Sequence, residues 1–316
     1  MRLEYLRYFN HLAKVLNFTK AAKDLFIAQP TLSVAIKRME NELGFQLFIR
    51  KEGSTKVELT RSGAVFYEYV SQMLNNFDTG LRVARELQGE ENSELHIGTI
   101  YAIQDQFWSK AMQEFIRSCS VEPKIFIEQA YSPELTQRLQ KGELDTIFAT
   151  KIDDEDIGNL SYIPVWSQPL VLGVNRNHPW AKKKTVTVEE LKKREILTYA
   201  KSSPANRSLE KNLILEEMNL RREYDDEITL SAMVSSNKDK MALFCYSFLV
   251  NAFEDVTCLY IKGLPQDFHK VYLVSRKETH PMIVDHFINF MSLYRFPSAE
   301  IERRQSEIII NSQFQN

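Results

Sequence analysis

Apolar residues recur every three or four positions through most of the first 87 residues, which is the spacing of one face of an α-helix. The pattern predicts a first helix from Tyr5 to Leu16, ended by Asn17, and a second helix capped by Thr19. A third helix is predicted to start at Gln29, with a proline in its first turn, and to stop at Gly44. Its buried stripe consists of Leu32, Ala35, Ile36, Met39 and Leu43.

A short turn places the second and third helices side by side, and the segments "FQLFIR", "KEGSTK" and "VELT" follow them. These segments predict a strand, a basic turn and a second strand, which together form a wing able to meet phosphates. Helix, turn, helix and wing in this order are typical of a winged helix-turn-helix DNA reader. Two ordinary core helices with one solvated side give the same pattern, and spacing alone does not separate the two interpretations.

The third helix carries short polar and basic side chains opposite its buried stripe, which suits a helix that enters a DNA groove. Residues 1–62 hold 11 Lys/Arg against 6 Asp/Glu, whereas residues 63–316 hold 29 against 36. A basic head on an acidic body is suited to attract a polyanion. We expect DNA contacts from Thr19, Gln29, Pro30, Thr31, Ser33, Lys37, Arg50, Lys51 and Lys56.

A long helix is predicted from Thr60, a good capping residue, to about Leu87. At 1.5 Å per residue it spans roughly 40 Å, which is too long for a small head to cover its apolar stripe. The stripe is therefore interpreted as a dimer seam, with packing inside the same chain as the alternative. We expect dimerisation through Phe66, Val70, Met73, Phe77 and Leu81.

After a polar hinge, "GEENS" at residues 89–93, the pattern changes to strands alternating with helices. "LHIGTI", "KIFIEQA" and "LDTIFAT" are predicted strands separated by two helices, a βαβαβ unit with a parallel sheet. A second series runs from "PLVLGV" through "VEELKKREILTYA", "NRSLEKNLILEEMN" and "EITL", with a helix near "KDKMALF", to "TCLYIK". "KVYLVS" and the helical "PMIVDHFINFMSLYRF" then complete the first unit, so two α/β lobes are expected.

The run "LRYFNHLAKVLNFTKAAKDLFIAQPTLSVAIKRMENELGFQLFIR", followed by "LTRSG", resembles the winged-helix head of LysR-type transcriptional regulators over residues 1 to about 63. The remainder resembles the effector domain of that family, and its cousins the periplasmic binding proteins, in its order of elements. The resemblance implies an α+β multi-domain fold: an N-terminal winged helix-turn-helix at 1–62, a long linker and dimerisation helix with a hinge at 63–92, a C-terminal two-lobed α/β effector domain at 93–300, and a tail at 301–316. Lobe I covers about 93–165 and 270–300, and lobe II about 166–269.

The head departs from the family at two positions. Ala28 stands where the family often has Ser, so the side-chain cap of the third helix is missing, a loss of about 1 kcal/mol. Val34 stands where the family often has Arg, so base reading is expected to shift toward Gln29, Thr31, Ser33 and Lys37. The resemblance implies four partners: a double-stranded DNA operator, a small-molecule effector, further copies in a homodimer or homotetramer, and RNA polymerase.

Ligands of α/β sheets lie beyond strand C-termini and at helix N-termini, where free N–H groups favour an anion. An anionic effector is therefore expected between the lobes, in contact with Thr99, Tyr101, Tyr131, Ser132, Thr150, Ser202 and Ser203, with Asn206 and Arg207 nearby. Each of these is alternatively an ordinary turn or cap residue. The bulky Phe244, Tyr246 and Phe248 leave open a regulator whose cleft is filled and takes no effector.

Recognisable enzyme chemistry is missing from the sequence, which lacks GxGxxG, GxxxxGK, GxSxG and HExxH motifs. His280 and His286 fall on different faces of a helix, "DDED" at 153–156 lacks the features of a calcium loop, and the three cysteines are interpreted as reduced, buried thiols. We expect no catalytic residue, metal or cofactor, and we disfavour an enzyme with an autoregulatory DNA-binding head. No apolar run reaches the roughly 20 residues of a membrane span, so a cytoplasmic location is expected.

Overall fold

The computed structural model describes residues 2–50, 56–88, 94–103, 106–151, 158–211 and 218–296. The chain divides into two compact units, called here the head, formed mainly by residues 2–88, and the body, formed mainly by residues 94–296. Lys51, the expected hinge at 89–93, the acidic run at 153–156 and the tail at 301–316 lie outside the described residues. No helix in the described ranges has both the length and the apolarity needed to cross a bilayer.

The head is a winged helix-turn-helix followed by a long helix. Its elements are α1 (Leu3–Val15), α2 (Phe18–Asp24), α3 (Gln29–Leu43), β1 (Phe48–Arg50), β2 (Val57–Leu59) and α4 (Arg61–Leu87). The strands β1 and β2 pair antiparallel and form the wing. Phe9, Ala21, Leu32, Ile36 and Met39 are fully buried at the centre, so the helical spacing in the sequence correctly identified the core.

The prediction that Thr19 caps the second helix is wrong. α1 already ends at Val15, because Leu16 adopts a left-handed conformation with φ 52° and its N–H donates to Leu12 O. The turn therefore comes early enough for Asn17 to precede α2, where its side-chain oxygen accepts from Lys20 N at 2.9 Å. Asn17 thus starts the second helix instead of ending the first.

Glu40 is a buried carboxylate in the apolar core of the head, and the hydrophobic pattern did not single it out. It is 6% exposed, and its Oε1 accepts hydrogen bonds from the backbone N–H groups of Leu47 at 2.8 Å and Phe48 at 3.2 Å. These two bonds stabilise the buried Oε1 and fix the start of β1 against α3.

The body contains eleven strands and six α-helices within its described residues. In chain order they are β3 (Glu94–Thr99), α5 (Gln106–Ser118), β4 (Lys124–Gln129), α6 (Ser132–Gln140), β5 (Thr146–Thr150), β6 (Leu160–Gln168), β7 (Leu170–Asn175), β8 (Thr185–Thr187), α7 (Val188–Leu191), β9 (Glu195–Tyr199), α8 (Pro204–Glu210), β10 (Asn219–Tyr224), α9 (Glu227–Ser235), β11 (Met241–Cys245), β12 (Val256–Lys262), β13 (His269–Arg276) and α10 (Met282–Leu293).

Two mixed sheets form the two lobes of the body. Lobe I contains a five-stranded sheet in the order β4-β3-β5-β13-β6, in which β3 runs parallel to β4 and β5 while β13 is antiparallel to both of its neighbours. Lobe II contains a six-stranded sheet in the order β10-β9-β11-β7-β12-β8. The two-lobed α/β architecture expected from the order of elements is therefore present.

The helix predicted near "KDKMALF" is wrong, because Met241–Cys245 form the strand β11. All five residues of β11 are buried, and the strand lies between β9 and β7 in the middle of its sheet. A strand covered on both faces shows a continuous apolar run without alternation, and such a run does not distinguish strand from helix. The sequence interpretation also did not name β6, β8 or β10 as strands.

The chain crosses between the lobes twice. It leaves the lobe I sheet after Gln168, passes Pro169 and enters β7, and it returns from β12 to β13 at His269. Gln168 and His269 are opposite each other in the antiparallel pairing of β6 with β13. The two crossings are therefore adjacent, and both residues lie at the base of the space between the lobes.

Candidate functional sites

The outer face of α3 presents mainly polar side chains opposite the core. Gln29, Pro30, Thr31 and Lys37 are exposed, Ser33 is partly buried, and Val34 is 68% exposed. Arg38, on the same side, pairs with Glu42 one turn later. Five predicted DNA-contacting residues therefore share one helix in its N-terminal half and centre, with an apolar side chain among them.

The N-terminus of α3 lacks a side-chain cap, as the sequence predicted. Ala28 is extended, with φ −71° and ψ 138°, and its carbonyl accepts from Thr31 N at 2.9 Å and Leu32 N at 3.2 Å. Because the alanine side chain cannot accept a hydrogen bond, it leaves the first-turn N–H groups to other partners. Such an end of a helix is a favourable place for a DNA phosphate.

The wing is tied to the helices on one side. Val57 N donates to Leu16 O at 3.0 Å, and the backbone of Lys56 forms an isolated antiparallel β-bridge with that of Asn17. The Lys56 side chain is exposed, as a phosphate contact requires, and Thr19 is exposed in the first turn of α2. Arg50 is the last residue of β1.

The apolar stripe on α4 divides into two parts with different roles. Val70 is 4% exposed in the head core, and Phe66 packs against Phe9 with ring centroids 5.4 Å apart, so both stabilise their own chain. Met73 and Phe77 are each 43% exposed and Leu81 is 38% exposed. With the exposed Val65 and Tyr69, these residues form a row, called here the α4 row, whose members lie four positions apart.

A cavity of about 380 Å³ lies between the two lobes of the body. This volume falls in the range of small-molecule sites. The wall is formed by Ile100, Tyr101, Ala102, Ala130, Tyr131, Ser132 and Thr150 from lobe I, by Gln168 and His269 at the crossings, and by Tyr199, Ser203, Pro204, Ala205, Asp225, Asp226, Glu227, Ile228, Thr229, Cys245 and Leu249 from lobe II.

Five of the seven predicted effector residues line this cavity, namely Tyr101, Tyr131, Ser132, Thr150 and Ser203. Thr99 is fully buried at the end of β3, and the residues after it reach the cavity instead. Ser202 is exposed outside the wall, because a turn in which Ser203 N donates to Ala200 O at 3.0 Å buries only Ser203. Thr99 and Ser202 therefore do not line the cavity, whereas residues one or two positions after them do.

Several polar groups around the cavity bond to each other. Ser132 Oγ accepts from Thr150 N at 3.0 Å and lies 3.0 Å from Thr150 Oγ1. Ser203 Oγ donates to Asp225 O at 2.8 Å. Asn206, which was expected near the ligand, is fully buried and donates to Glu210 Oε1 at 2.8 Å, and Arg207 is exposed.

The acidic part of the wall was not predicted from the sequence. Asp226 caps α9 by accepting from Thr229 N at 2.7 Å, and Glu227 accepts from Ser247 Oγ at 2.8 Å. Burial raises the pKa of Glu227, with a smaller contribution from the adjacent Asp226. Three consecutive acidic residues thus line a cavity whose described lining contains no Lys or Arg, which runs against the anionic ligand expected from the helix N-termini.

The base of the cavity holds buried neutral groups. His269 lies 2.7 Å from Ser208 Oγ through its Nδ1, and burial lowers the pKa of His269 to about 4, so the ring is neutral near pH 7. Gln168 Nε2 donates to Tyr246 O at 3.0 Å, and Tyr199 Oη accepts from Cys245 N at 2.9 Å. Burial raises the pKa of both Tyr199 and Cys245, so neither group ionises near neutral pH.

The three bulky residues that left a filled cleft open as an alternative all lie outside the cavity wall. Phe244 and Tyr246 are buried in the core of lobe II, and Phe248 is partly buried and stacks on Trp166. The cavity therefore remains open. Within the described ranges, no group of three or more His, Cys, Asp or Glu side chains is arranged to hold a metal ion.

Comparison with known proteins matches both units. Residues 3–64 match the family profile described as bacterial regulatory helix-turn-helix protein, lysR family, and residues 88–293 match the LysR substrate binding domain. The chain is similar to the uncharacterized HTH-type transcriptional regulator YybE of Bacillus subtilis strain 168, at 31% identity over 194 residues. That match covers 60% of this chain and 64% of the relative, which is less than two thirds of its length.

Solved structures share the fold across nearly the whole chain. A full-length OxyR variant from Pseudomonas aeruginosa has a TM-score of 0.69 at 23% identity and covers 95% of this chain and 100% of its own. Full-length CbnR, crystallised with its target DNA, has a TM-score of 0.67 at 19% identity and covers 92% of this chain and 99% of its own.

Proposed function

This chain belongs to the LysR family of bacterial regulatory helix-turn-helix proteins, and from that membership we propose that it regulates transcription by binding an operator in double-stranded DNA under the control of a small-molecule effector. The observation that carries the proposal is the outer face of α3, where Gln29, Thr31 and Lys37 are exposed on one rigid helix. Sequence-specific readers place such a helix in the major groove, where amide, hydroxyl and amine groups meet base edges.

Selection of genomic DNA fragments by the full-length protein, followed by footprinting, tests this function. A dimeric reader selects fragments that share two related half-sites about one helical turn apart or a multiple of it. Binding that shows no preference among fragments after repeated selection would contradict a role as an operator-binding regulator.

Gln29→Ala is expected to reduce discrimination more than affinity. Gln29 is exposed at the first position of α3, and a glutamine there pairs with two atoms of adenine, which contributes about 1–3 kcal/mol against a wrong base. Competition between the selected operator and random DNA measures the effect. Asn41→Ala removes an exposed amide near the other end of the same helix and is the matched control. An unchanged ratio of specific to non-specific binding in Gln29→Ala would remove Gln29 from sequence reading.

Lys56→Ala is expected to weaken binding to all DNA alike, because a wing lysine that contacts phosphate releases counterions whatever the sequence. The slope of log affinity against log salt should become shallower by about 1. Filter binding at several salt concentrations measures this slope, with the exposed body lysine substitution Lys110→Ala as the control. Equal slopes for Lys56→Ala and wild type would show that Lys56 makes no phosphate contact. The same test applies to Lys51, which stays a sequence-based prediction.

We propose that the α4 row packs against a symmetric partner chain, because the described part of their own chain leaves Met73, Phe77 and Leu81 exposed. Groove-reading heads work in symmetric pairs, and an exposed apolar row is the usual seam between two such helices. Assembly of two dimers into a homotetramer and contact with RNA polymerase remain predictions from the family resemblance.

The interlobe cavity is the proposed effector site. It combines an apolar lining with a small number of polar groups and lies within the segment that matches the substrate-binding profile. A ligand that binds the native state raises its melting temperature, so a thermal-shift screen of metabolites tests the site directly. A cavity that binds an effector without converting it favours a regulator over an enzyme with a DNA-binding head. Chemical conversion of a metabolite by the protein would contradict this assignment.

A further inference from the structure

We propose that the effector is a small organic cation, an amine or a quaternary ammonium compound, held between the tyrosines of lobe I and the acidic wall of lobe II. The inference rests on the proposed function, because it assigns a charge class to the ligand of the same cavity.

The charge of the wall is the first argument. Among the described residues of the wall, the Asp, Glu, Lys, Arg and His side chains are Asp225, Asp226, Glu227 and the neutral His269. Three helices begin at the cavity, α6, α8 and α9, and each contributes at most about half a positive charge at its N-terminus. The two aspartates alone outweigh this combined charge of at most about +1.5. Asp226 also already occupies the end of α9 as its cap.

The supply of hydrogen-bond donors is the second argument, because an anion would need them. Ser203 donates its only hydroxyl proton to Asp225 O at 2.8 Å, and Thr229 donates its proton to the Asp226 carboxylate at 3.2 Å. Gln168 Nε2 donates to a backbone carbonyl. The wall thus uses these donors internally, whereas the aspartate carboxylates keep lone pairs that can accept from a ligand.

The aromatic pair is the third argument. Tyr101 and Tyr131 are 50% and 51% exposed, and their rings meet edge to face with centroids 6.1 Å apart. Burial and then the charges of Asp226 and Asp225 raise the pKa of Tyr131. The negative potential of the acidic wall therefore extends to this tyrosine. Two tyrosine faces beside carboxylates attract a cation both through their quadrupoles and by direct charge.

Matched probes that differ only in charge test the proposal on the full-length protein. Benzylamine, benzyl alcohol and benzoate share one ring and carry a positive, a neutral and a negative group at pH 7, and choline adds a cation without N–H donors. At about 10 mM, benzylamine and choline are expected to raise the melting temperature by about 2–4 °C over a sodium chloride control. Benzyl alcohol and benzoate are expected to give no shift beyond that control.

Variants of the wall then locate the binding. Asp225→Asn combined with Asp226→Asn removes two charges while asparagine still caps α9, and calorimetry should show roughly tenfold weaker binding of the cations. Tyr131→Leu should weaken choline about threefold or more, whereas Tyr131→Phe keeps the ring and the affinity. Glu195→Gln, which removes an exposed carboxylate of lobe II outside the wall, is the matched control and should change nothing.

Three outcomes would overturn the proposal: a shift with benzoate that equals or exceeds the shift with benzylamine, no shift with either cation, or unchanged cation affinity in the doubly substituted variant. Operator selection on the same preparation distinguishes failure of the cation proposal from failure of the proposed regulatory function. Selective DNA binding together with one of these outcomes rejects the cation and leaves the regulator intact. An absence of DNA selectivity in the wild-type protein rejects the proposed function, whichever probe binds.

Discussion

Gly63→Ala is expected to disrupt the head and abolish operator binding, with a loss of stability of about 3 kcal/mol or more. A Cβ atom at residue 63 would lie 2.1 Å from the carbonyl oxygen of Leu47 and 2.9 Å from its carbon, which are backbone atoms that cannot rotate away. The same oxygen accepts from Thr60 N at 3.0 Å, and Thr60 Oγ1 caps α4 by accepting from Gly63 N at 2.8 Å. Pushing α4 aside therefore breaks its own cap. Scanning calorimetry and operator binding measure the result.

Gly80→Ala is the matched control on the same helix. A Cβ atom there meets nothing within 4 Å, so the substitution should stabilise α4 by up to about 1 kcal/mol through better helix propensity. A Gly63→Ala protein that melts like the wild type and binds the operator equally well would show that the wing moves away from α4 at little cost.

Phe77→Asp is expected to separate the dimer, raising its dissociation constant by roughly 100-fold or more. Phe77 is 43% exposed within the α4 row, and a symmetric partner would bring a second new carboxylate close to the first. Desolvation and like-charge repulsion then act together. Sedimentation across a range of concentrations measures the dissociation constant, and operator affinity should fall with it because each half-site is bound by one head.

The Gln72→Asp substitution controls for the added charge, since Gln72 is exposed on α4 outside the row. This variant should keep the wild-type mass and affinity. If Phe77→Asp also keeps them, the seam lies elsewhere and the α4 row has another role.

The head could be predicted almost completely because local spacing decides it. The positions of Leu32, Ile36 and Met39 specify one face of one helix, and their burial follows directly from a period of 3.6 residues. The exceptions have local causes that the spacing of apolar residues does not reveal. The left-handed Leu16 moved a cap from Thr19 to Asn17, and Glu40 is buried only because two backbone N–H groups of a different element reach it.

The body was harder to predict because its strands are buried on both faces. β11 contains five apolar or sulfur-bearing residues without alternation, so its type depends on the neighbours β9 and β7, which are distant in sequence. The burial of the apolar stripe on α4 was equally hard to predict from the sequence. Val70 and Met73 share one spacing, but only the folded head decides that Val70 is 4% exposed and Met73 is 43% exposed.

The cavity was predicted on the lobe I side and at Ser203, since strand ends and helix starts are visible in the sequence. Asp225, Asp226 and Glu227 were missed because "YDDEI" carries the ordinary signature of a helix N-terminus, where acidic residues are common. Only the three-dimensional arrangement shows that these residues line the same cavity as Tyr131, and this changes the expected charge of the ligand.

The paired residues Gln168 and His269 have a mechanical consequence for the body. Because the chain passes between the lobes at two adjacent points, any opening of the lobes rotates about an axis close to this pair, and displacement grows with distance from an axis. The axis touches the cavity at its base, where both residues are at least 93% covered, while the half-exposed Tyr101 and Tyr131 lie toward solvent. We therefore expect a ligand group at the base to leave the lobe angle almost unchanged, and one added beside the tyrosines, farther from the axis, to hold the lobes apart.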